Sequence, residues 1–339
     1  MRVVLPIPLV TGWNLLPFVR FLRGIGAPVE RWLAESRISA DIIERPDRAF
    51  PLCLGLDFVE RAAREEGAES IGLDVGRHES ADSLGSLGAL LARCPTLYSR
   101  ACAACRLISS ANNYSSMWLE VIGETATIYT RLHCKREPGL THAEDFTLML
   151  VLEAVERAAG PGWKPSVIQL PGSRPQRFTR DELFQGVSMF YAARNIAVSF
   201  PAELLGHALR PPPRVLSCAQ PAAAHPAGGV PPTDFVESLE EAVVALLANG
   251  CPSVHDLAEI SHLSPRTLQR RLAEEGASLR QIIDHARFRL AVDYLGDCNA
   301  TITDIAMELG YSDSTAFTRA FHRMTGVSPS QFRARQLDS

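Results

Sequence analysis

The sequence predicts an α+β N-terminal domain followed by an all-α C-terminal domain with two helix-turn-helix motifs joined by a long helix. Three observations predict it. A stretch rich in proline, alanine and glycine divides the chain, helical periodicity mixes with β-rich runs before it, and the pattern after it is helical throughout and repeats itself.

The divider begins at Pro211-Pro212-Pro213 and runs through Cys218 to Pro231-Pro232. Such a run has little apolar surface to bury and behaves as an extended tether. The expected boundaries are 1–216, a linker over 217–234 and 235–339. A chain of 339 residues suits two domains, each able to bury its own core.

Upstream, apolar residues recur at helical spacing over Phe50 to Ala63, Leu84 to Ala92 and Phe146 to Ala158. Ser116 to Ile122 and Glu124 to Leu132 are β-rich and meet at Gly123, which predicts a hairpin. Ser166 to Leu170 and Ile196 to Phe200 are shorter strand candidates, each ended by a proline.

Composition excludes some classes. With 46% hydrophobic and 21% charged residues, no segment approaches the roughly 18 consecutive apolar residues of a membrane helix. Pro6 and Pro8 interrupt the apolar N-terminus, which reads as a folded or draped mature terminus and not as a signal peptide. Eight scattered cysteines fit buried thiols in a reducing compartment, so the cytoplasm is the expected location. A net charge of −4 gives no global basic signature, and any nucleic-acid contact must come from local arrangement.

The repeat supplies that arrangement. Val254 to Ser264 aligns with Ile302 to Ser312 at one fixed offset, matching Val254 with Ile302, Asp256 with Asp304, Leu257 with Ile305 and Ala258 with Ala306. After one extra residue in the second copy, Leu268, Arg270 and Leu272 match Phe317, Arg319 and Phe321. Each copy reads as a short helix, a tight turn and a second helix. Ala258 and Ala306 are small where the helices cross closely, and Ser264 and Ser312 are placed to accept from the N–H groups opening the second helix. Pro265 suits the first helical position. Gly310 tolerates positive φ at the turn, where the first copy has His262.

Leu268 and Leu272, like Phe317 and Phe321, stand four apart and must face the core. That leaves Arg266, Gln269 and Arg270 exposed in the first copy, and Ser314, Thr315, Thr318 and Arg319 in the second. These side chains can bond base edges or phosphates of double-stranded DNA. From Phe235 onward ten arginines face fourteen carboxylates, with no lysine. The arginines fall mostly on and between the second helices, so the local field is expected to outweigh the sum, with affinity falling steeply in salt. Leu279 to Leu295 reads as the long connector, setting the two second helices about one duplex turn apart, roughly 34 Å.

Ser264 to Gly276, Ile305 to Asp313, Phe317 to Pro329 and Phe332-Arg333 together resemble the AraC/XylS family of bacterial transcription regulators. The resemblance covers about the last hundred residues. It implies that Arg266, Gln269 and Arg270 form the base-contacting face of one recognition helix, and Ser314, Thr315, Thr318 and Arg319 that of the other. The upstream region more weakly resembles the family's arabinose-binding-type sensor and dimerisation domain, a label that does not establish a sugar ligand. The implied partners are double-stranded DNA, a small-molecule effector of unknown identity, a second copy in a homodimer and, for an activator, RNA polymerase. No cofactor is implied.

Cys102 and Cys105 have a metal or redox spacing, but no second ligand pair lies nearby, which favours buried structural thiols. His78, His133 and His142 are scattered, as surface or core histidines are. Gly85-Ser86-Leu87-Gly88 lacks the flanks of a phosphate loop, and no nucleophile sits beside a base, so no enzyme is expected. Trp118, Tyr129 and Phe146 read as core residues before pocket residues.

Overall fold

A computed structural model describes residues 5–172, 176–179, 181–211, 231–296 and 300–337. Most of the expected linker, residues 217–230, lies outside the described residues. The chain divides into two compact units, one of residues 8–36 and 40–231, the other of 232–339 with 1–7 and 37–39. The first is mixed α and β and the second is all helical.

In the first unit, strand β1 (Leu9–Thr11) precedes helices α1 (Leu16–Gly24), α2 (Val29–Glu35) and α3 (Asp41–Glu44). Strand β2 (Ala49–Pro51) pairs antiparallel with β1 and leads into α4 (Leu52–Glu65). The helix expected from Phe50 therefore starts two residues later. Phe50 and Pro51 are strand residues because Leu9–Thr11 offers their backbone a partner, a long-range event that periodicity does not record. Helices α5 (Ile71–Arg77), α6 (Gly85–Leu91), α7 (Leu97–Leu107) and α8 (Leu140–Ala159) enclose the core, with α9 (Gln176–Thr179) a single turn.

The main sheet has five strands in the order β3-β4-β7-β5-β6, where β3 is Ser115–Ile122, β4 Thr125–Leu132, β5 Val167–Gln169, β6 Ser188–Phe190 and β7 Ile196–Pro201. Pairing is antiparallel except between β5 and β6. The expected hairpin is present, turning at Gly123 with φ of 58°. Leu148, Leu152 and Val155 on α8 share one core cluster with Ala126, Ile128, Val198 and Phe200 of the sheet.

Helix α8 begins six residues before its expected start at Phe146. Its opening turns bury His142, Glu144 and Asp145, so the apolar periodicity that marks the rest of the helix is missing there. Helix α5 crosses α8 closely because Gly72 and Gly76, four apart, present no side chain. A Cβ at Gly72 would lie 2.2 Å from the His142 carbonyl oxygen, and one at Gly76 2.5 Å from Met149 Cβ.

The second unit contains α10 (Phe235–Leu247), α11 (Val254–Ile260), α12 (Pro265–Glu274), α13 (Leu279–Leu295), α14 (Ile302–Glu308), α15 (Ser314–Thr325) and α16 (Pro329–Leu337). Helix α13 has the bounds its periodicity predicts, and its 17 residues span about 25 Å.

Cys102 and Cys105 are partly buried on α7, short of the full burial expected. Facing inward on that helix are Leu97, Arg100, Ala101 and Ala103, which leaves the two cysteines off the buried stripe. Trp118 and Tyr129 stack across the β3–β4 hairpin with centroids 5.0 Å apart, half-buried, while Phe146 is buried against Phe18. His133 meets the Ser116 hydroxyl, His142 is buried and His78 is exposed.

Candidate nucleic-acid interface

Two consecutive helix pairs, α11–α12 and α14–α15, are built by the same local chemistry. Each first helix opens with a reciprocal cap. The Ser253 hydroxyl accepts from the Asp256 amide while the Asp256 carboxylate accepts from the Ser253 amide, and Thr301 and Asp304 repeat the pattern. The Ser253 and Thr301 hydroxyls also donate to these carboxylates at 2.6 Å, and together with the backbone amides they hold both carboxyl pKa values below the ordinary aspartate range.

Each first helix closes identically. The Leu263 amide donates to the Ala258 carbonyl and the His262 amide to Glu259; in the second pair the Tyr311 amide donates to Ala306 and the Gly310 amide to Met307. This double closure requires a left-handed residue just past the helix, supplied by His262 at φ 52° and Gly310 at φ 72°. Ala258 and Ala306, both buried, give the close crossing its space.

Helix α12 starts at Ser264, whose hydroxyl accepts from the Thr267 amide, with Pro265 at the first helical position. Leu268 and Leu272 are fully buried. On the other side Arg266, Gln269 and Arg270 are all exposed, and their spacing of three and four residues sets them on one face. Arg270 Nε lies 3.5 Å from Glu274, a surface pairing weak enough to yield to a phosphate or base.

Helix α15 is capped differently from the sequence expectation. The accepting group is the Asp313 carboxylate, bonded to the Ala316 amide at 2.7 Å, and the Ser312 hydroxyl instead donates to Asp313. The extra residue in the second copy moves the cap one position along, so the duplication does not carry Ser264 onto Ser312. Bonds from the Ala316 amide and Ser312 depress the Asp313 pKa, which leaves an anion at the start of this helix.

Phe317 and Phe321 are buried in ring contact with each other, and Phe321 also meets Phe288 of α13 and Phe332 of α16. Thr315 and Arg319 are exposed, whereas Ser314 and Thr318 are only half-exposed. The Thr318 hydroxyl donates to the Ser314 carbonyl at 2.7 Å, leaving its oxygen as an acceptor. All seven expected residues thus lie on α12 and α15, with three fully displayed on the first helix and two on the second.

Several carboxylates of this unit are committed elsewhere. Arg289 on α13 pairs with Glu240 and Glu241 of α10, and Asp256, Asp304 and Asp313 occupy helix starts. The Arg287 guanidinium lies 5.0 Å above the Tyr311 ring and fixes α13 against the second turn. Asp313 is the residue sequence reasoning passed over. The aspartate directly after Ser312 and three before Ala316 was the available signal.

Among the described residues, no three His, Cys, Asp or Glu side chains gather as a metal site requires, and no helix is long and apolar enough to cross a membrane. Duplicated helix-turn-helix units beside a separate α+β unit define the class of tandem helix-turn-helix proteins. The second unit matches the family described as "Helix-turn-helix domain" over residues 257–335. The first matches "Arabinose-binding domain of AraC transcription regulator, N-term" over 26–209, more than half of the chain. The protein belongs to the AraC family of transcription regulators.

Over 340 residues the chain is 25% identical to the HTH-type transcriptional regulator VirS of Mycobacterium tuberculosis, covering 96% of each. It is 42% identical over 84 residues to an uncharacterized HTH-type transcriptional regulator of the same species, covering 25% of this chain and about a quarter (24%) of that one. The crystal structure of the transcriptional regulator CdpR from Pseudomonas aeruginosa aligns with a TM-score of 0.35 and 21% identity, covering 91% of this chain and 96% of that one.

Proposed function

We propose that the protein is a sequence-specific DNA-binding transcription regulator that inserts α12 and α15 into successive major-groove segments on one face of the duplex. The exposed Arg266, Gln269 and Arg270 on α12 carry this reading, because a helix anchored by fully buried Leu268 and Leu272 holds three base-matching side chains on its free face. Thr315 and Arg319, with the Ser314 and Thr318 oxygens, contribute from α15. Residues 1–216 form the effector-sensing and dimerisation part, 217–234 the tether and 235–339 the DNA-binding part of a cytoplasmic homodimer. Effector binding shifts which DNA geometry the two copies favour. Where the outcome is activation, RNA polymerase is the further partner.

Footprinting of the full chain on DNA flanking its own gene tests the reading. A protected site carrying two half-sites about one helical turn apart is expected. No protection, with or without added cell metabolites, overturns it.

A further inference from the structure

The α+β unit holds a cavity of about 110 Å³ between α6, α7, α8 and strands β3 and β4. Its walls are mostly apolar, with Leu87, Leu97, Met117, Ile128, Phe146 and Leu150 among them. Asn14, Asn112, Tyr114, Ser115 and Thr147 also reach the lining, and two further polar residues stand out from them. Arg100 and Thr130 are each 2% exposed, and Arg100 Nη2 and Thr130 Oγ1 are buried with no hydrogen-bond partner.

A buried donor without an acceptor is costly and is normally satisfied, so two beside one cavity call for a reason. Arg100 is held in place by its other nitrogen, which donates to Asp82, and Asp82 is held in turn by Arg157 at 2.9 Å. The Glu153 carboxylate lies 4.0 Å from Nη2, too far for a hydrogen bond. Burial raises the Glu153 pKa despite Arg100 and Arg157 beside it, which makes it a poor permanent partner for that nitrogen.

We propose that this cavity is the effector site and takes a compact, mostly apolar molecule of about one six-membered ring, bearing a single acyl oxygen that accepts from Arg100 and Thr130. This rests on the sensor reading above. The scale is set by an apolar cavity of roughly 150 Å³, which holds benzene; this one is somewhat smaller but partly open, which leaves room for a single ring that its closed volume does not wholly contain. A sugar does not match, because most of its hydroxyls would face leucine, methionine and phenylalanine and lose their water without replacement. The acyl oxygen belongs either to a carboxylate or to a neutral carbonyl, and the two are separable by titration.

Isothermal titration calorimetry on the full chain with benzoate, benzamide, toluene and L-arabinose is the test. At least one of benzoate and benzamide binds, the tighter one identifying the head group; toluene binds at least about tenfold more weakly, and arabinose gives no binding heat. Thr130→Val weakens the acyl probes about 3- to 10-fold, the loss of one hydrogen bond, while raising the thermal midpoint of the ligand-free chain because an orphan hydroxyl is gone. Ala154→Leu fills the cavity and abolishes acyl binding with the helical circular dichroism retained. Failure of both acyl probes to bind, toluene binding as tightly as they do, arabinose binding, or unchanged affinity in Thr130→Val overturns the proposal. A chain that footprints DNA yet binds neither acyl probe refutes the ligand assignment and leaves the DNA reading standing; a chain that binds benzoate but protects no DNA does the reverse.

Discussion

The two helix-turn-helix pairs share capping boxes, turn hydrogen bonds and crossing alanines, and they part at the residues that would meet DNA. Helix α12 begins at a neutral serine and displays two arginines and a glutamine. Helix α15 begins at an aspartate and displays one threonine and one arginine beside two half-covered hydroxyls. Identical scaffolding therefore supports unequal surfaces. The scaffold needs only small, capping and left-handed residues at fixed places, which leaves the outward positions free to differ. The first half of a binding site should carry most of the specificity.

The largest expected effect tests that inequality. Arg266→Ala and Arg270→Ala each weaken binding to the footprinted site by about 1–3 kcal/mol and relax base preference in one half-site. Arg319→Ala costs toward the lower end of that range and relaxes the other half. Gel-shift titration against half-site variants reads both, and equal losses from the two halves would break the comparison. A uniform loss on every sequence would mark a phosphate contact instead.

The turns supply the next effect, this time on stability. Gly310→Ala forces a side chain into a left-handed position and lowers stability by about 1–2 kcal/mol, whereas His262→Gly relieves that same strain and raises it by up to about 1 kcal/mol. Urea titration followed by circular dichroism checks the opposite signs. A loss of stability in His262→Gly would show that the histidine side chain contributes more than its backbone strain removes.

A smaller change is expected at the second cap. Asp313→Asn keeps an accepting oxygen for the Ala316 amide and removes the negative charge, so DNA affinity should rise about threefold at low salt, with the gain shrinking as salt is added. Fluorescence anisotropy at two ionic strengths measures it. The corresponding Ser264→Asp should weaken binding by a similar factor.

The smallest effect is a pH dependence shared by both pairs. Asp256, Asp304 and Asp313 all have pKa values lowered by folding, so the unfolded chain binds protons more readily than the folded one. Their contribution is fully present above the unfolded value of about 4 and is lost as pH falls through the lower folded values. Thermal melts should show a midpoint decline below about pH 4 that is shallower in a Ser253→Ala, Thr301→Ala double variant.

How much of this could be read beforehand depended on the range of the interactions. The connector Leu279–Leu295 and the hairpin around Gly123 follow from neighbouring residues, through repeated apolar spacing and a turn glycine, and both were legible. The exposed face of α12 was legible for the same reason. The start of α8 was not, because it buries His142, Glu144 and Asp145, and polar residues contribute nothing to an apolar pattern. Phe50 and Pro51 read as helix until Leu9–Thr11 is seen to pair with them.

The sequence by itself determined the duplication, the positive-φ turn residue Gly310, and the outward set Arg266, Gln269 and Arg270. Each depends on contacts within about four residues, which the order of side chains dictates directly. Only the tertiary structure decided that Ser314 and Thr318 are half covered, since packing around Phe317 and Phe321 draws on α13 and α16. It also decided that Arg100 and Thr130, 30 positions apart, share one apolar cavity. A cavity is a property of how distant segments fail to fill space together, and no local pattern encodes it.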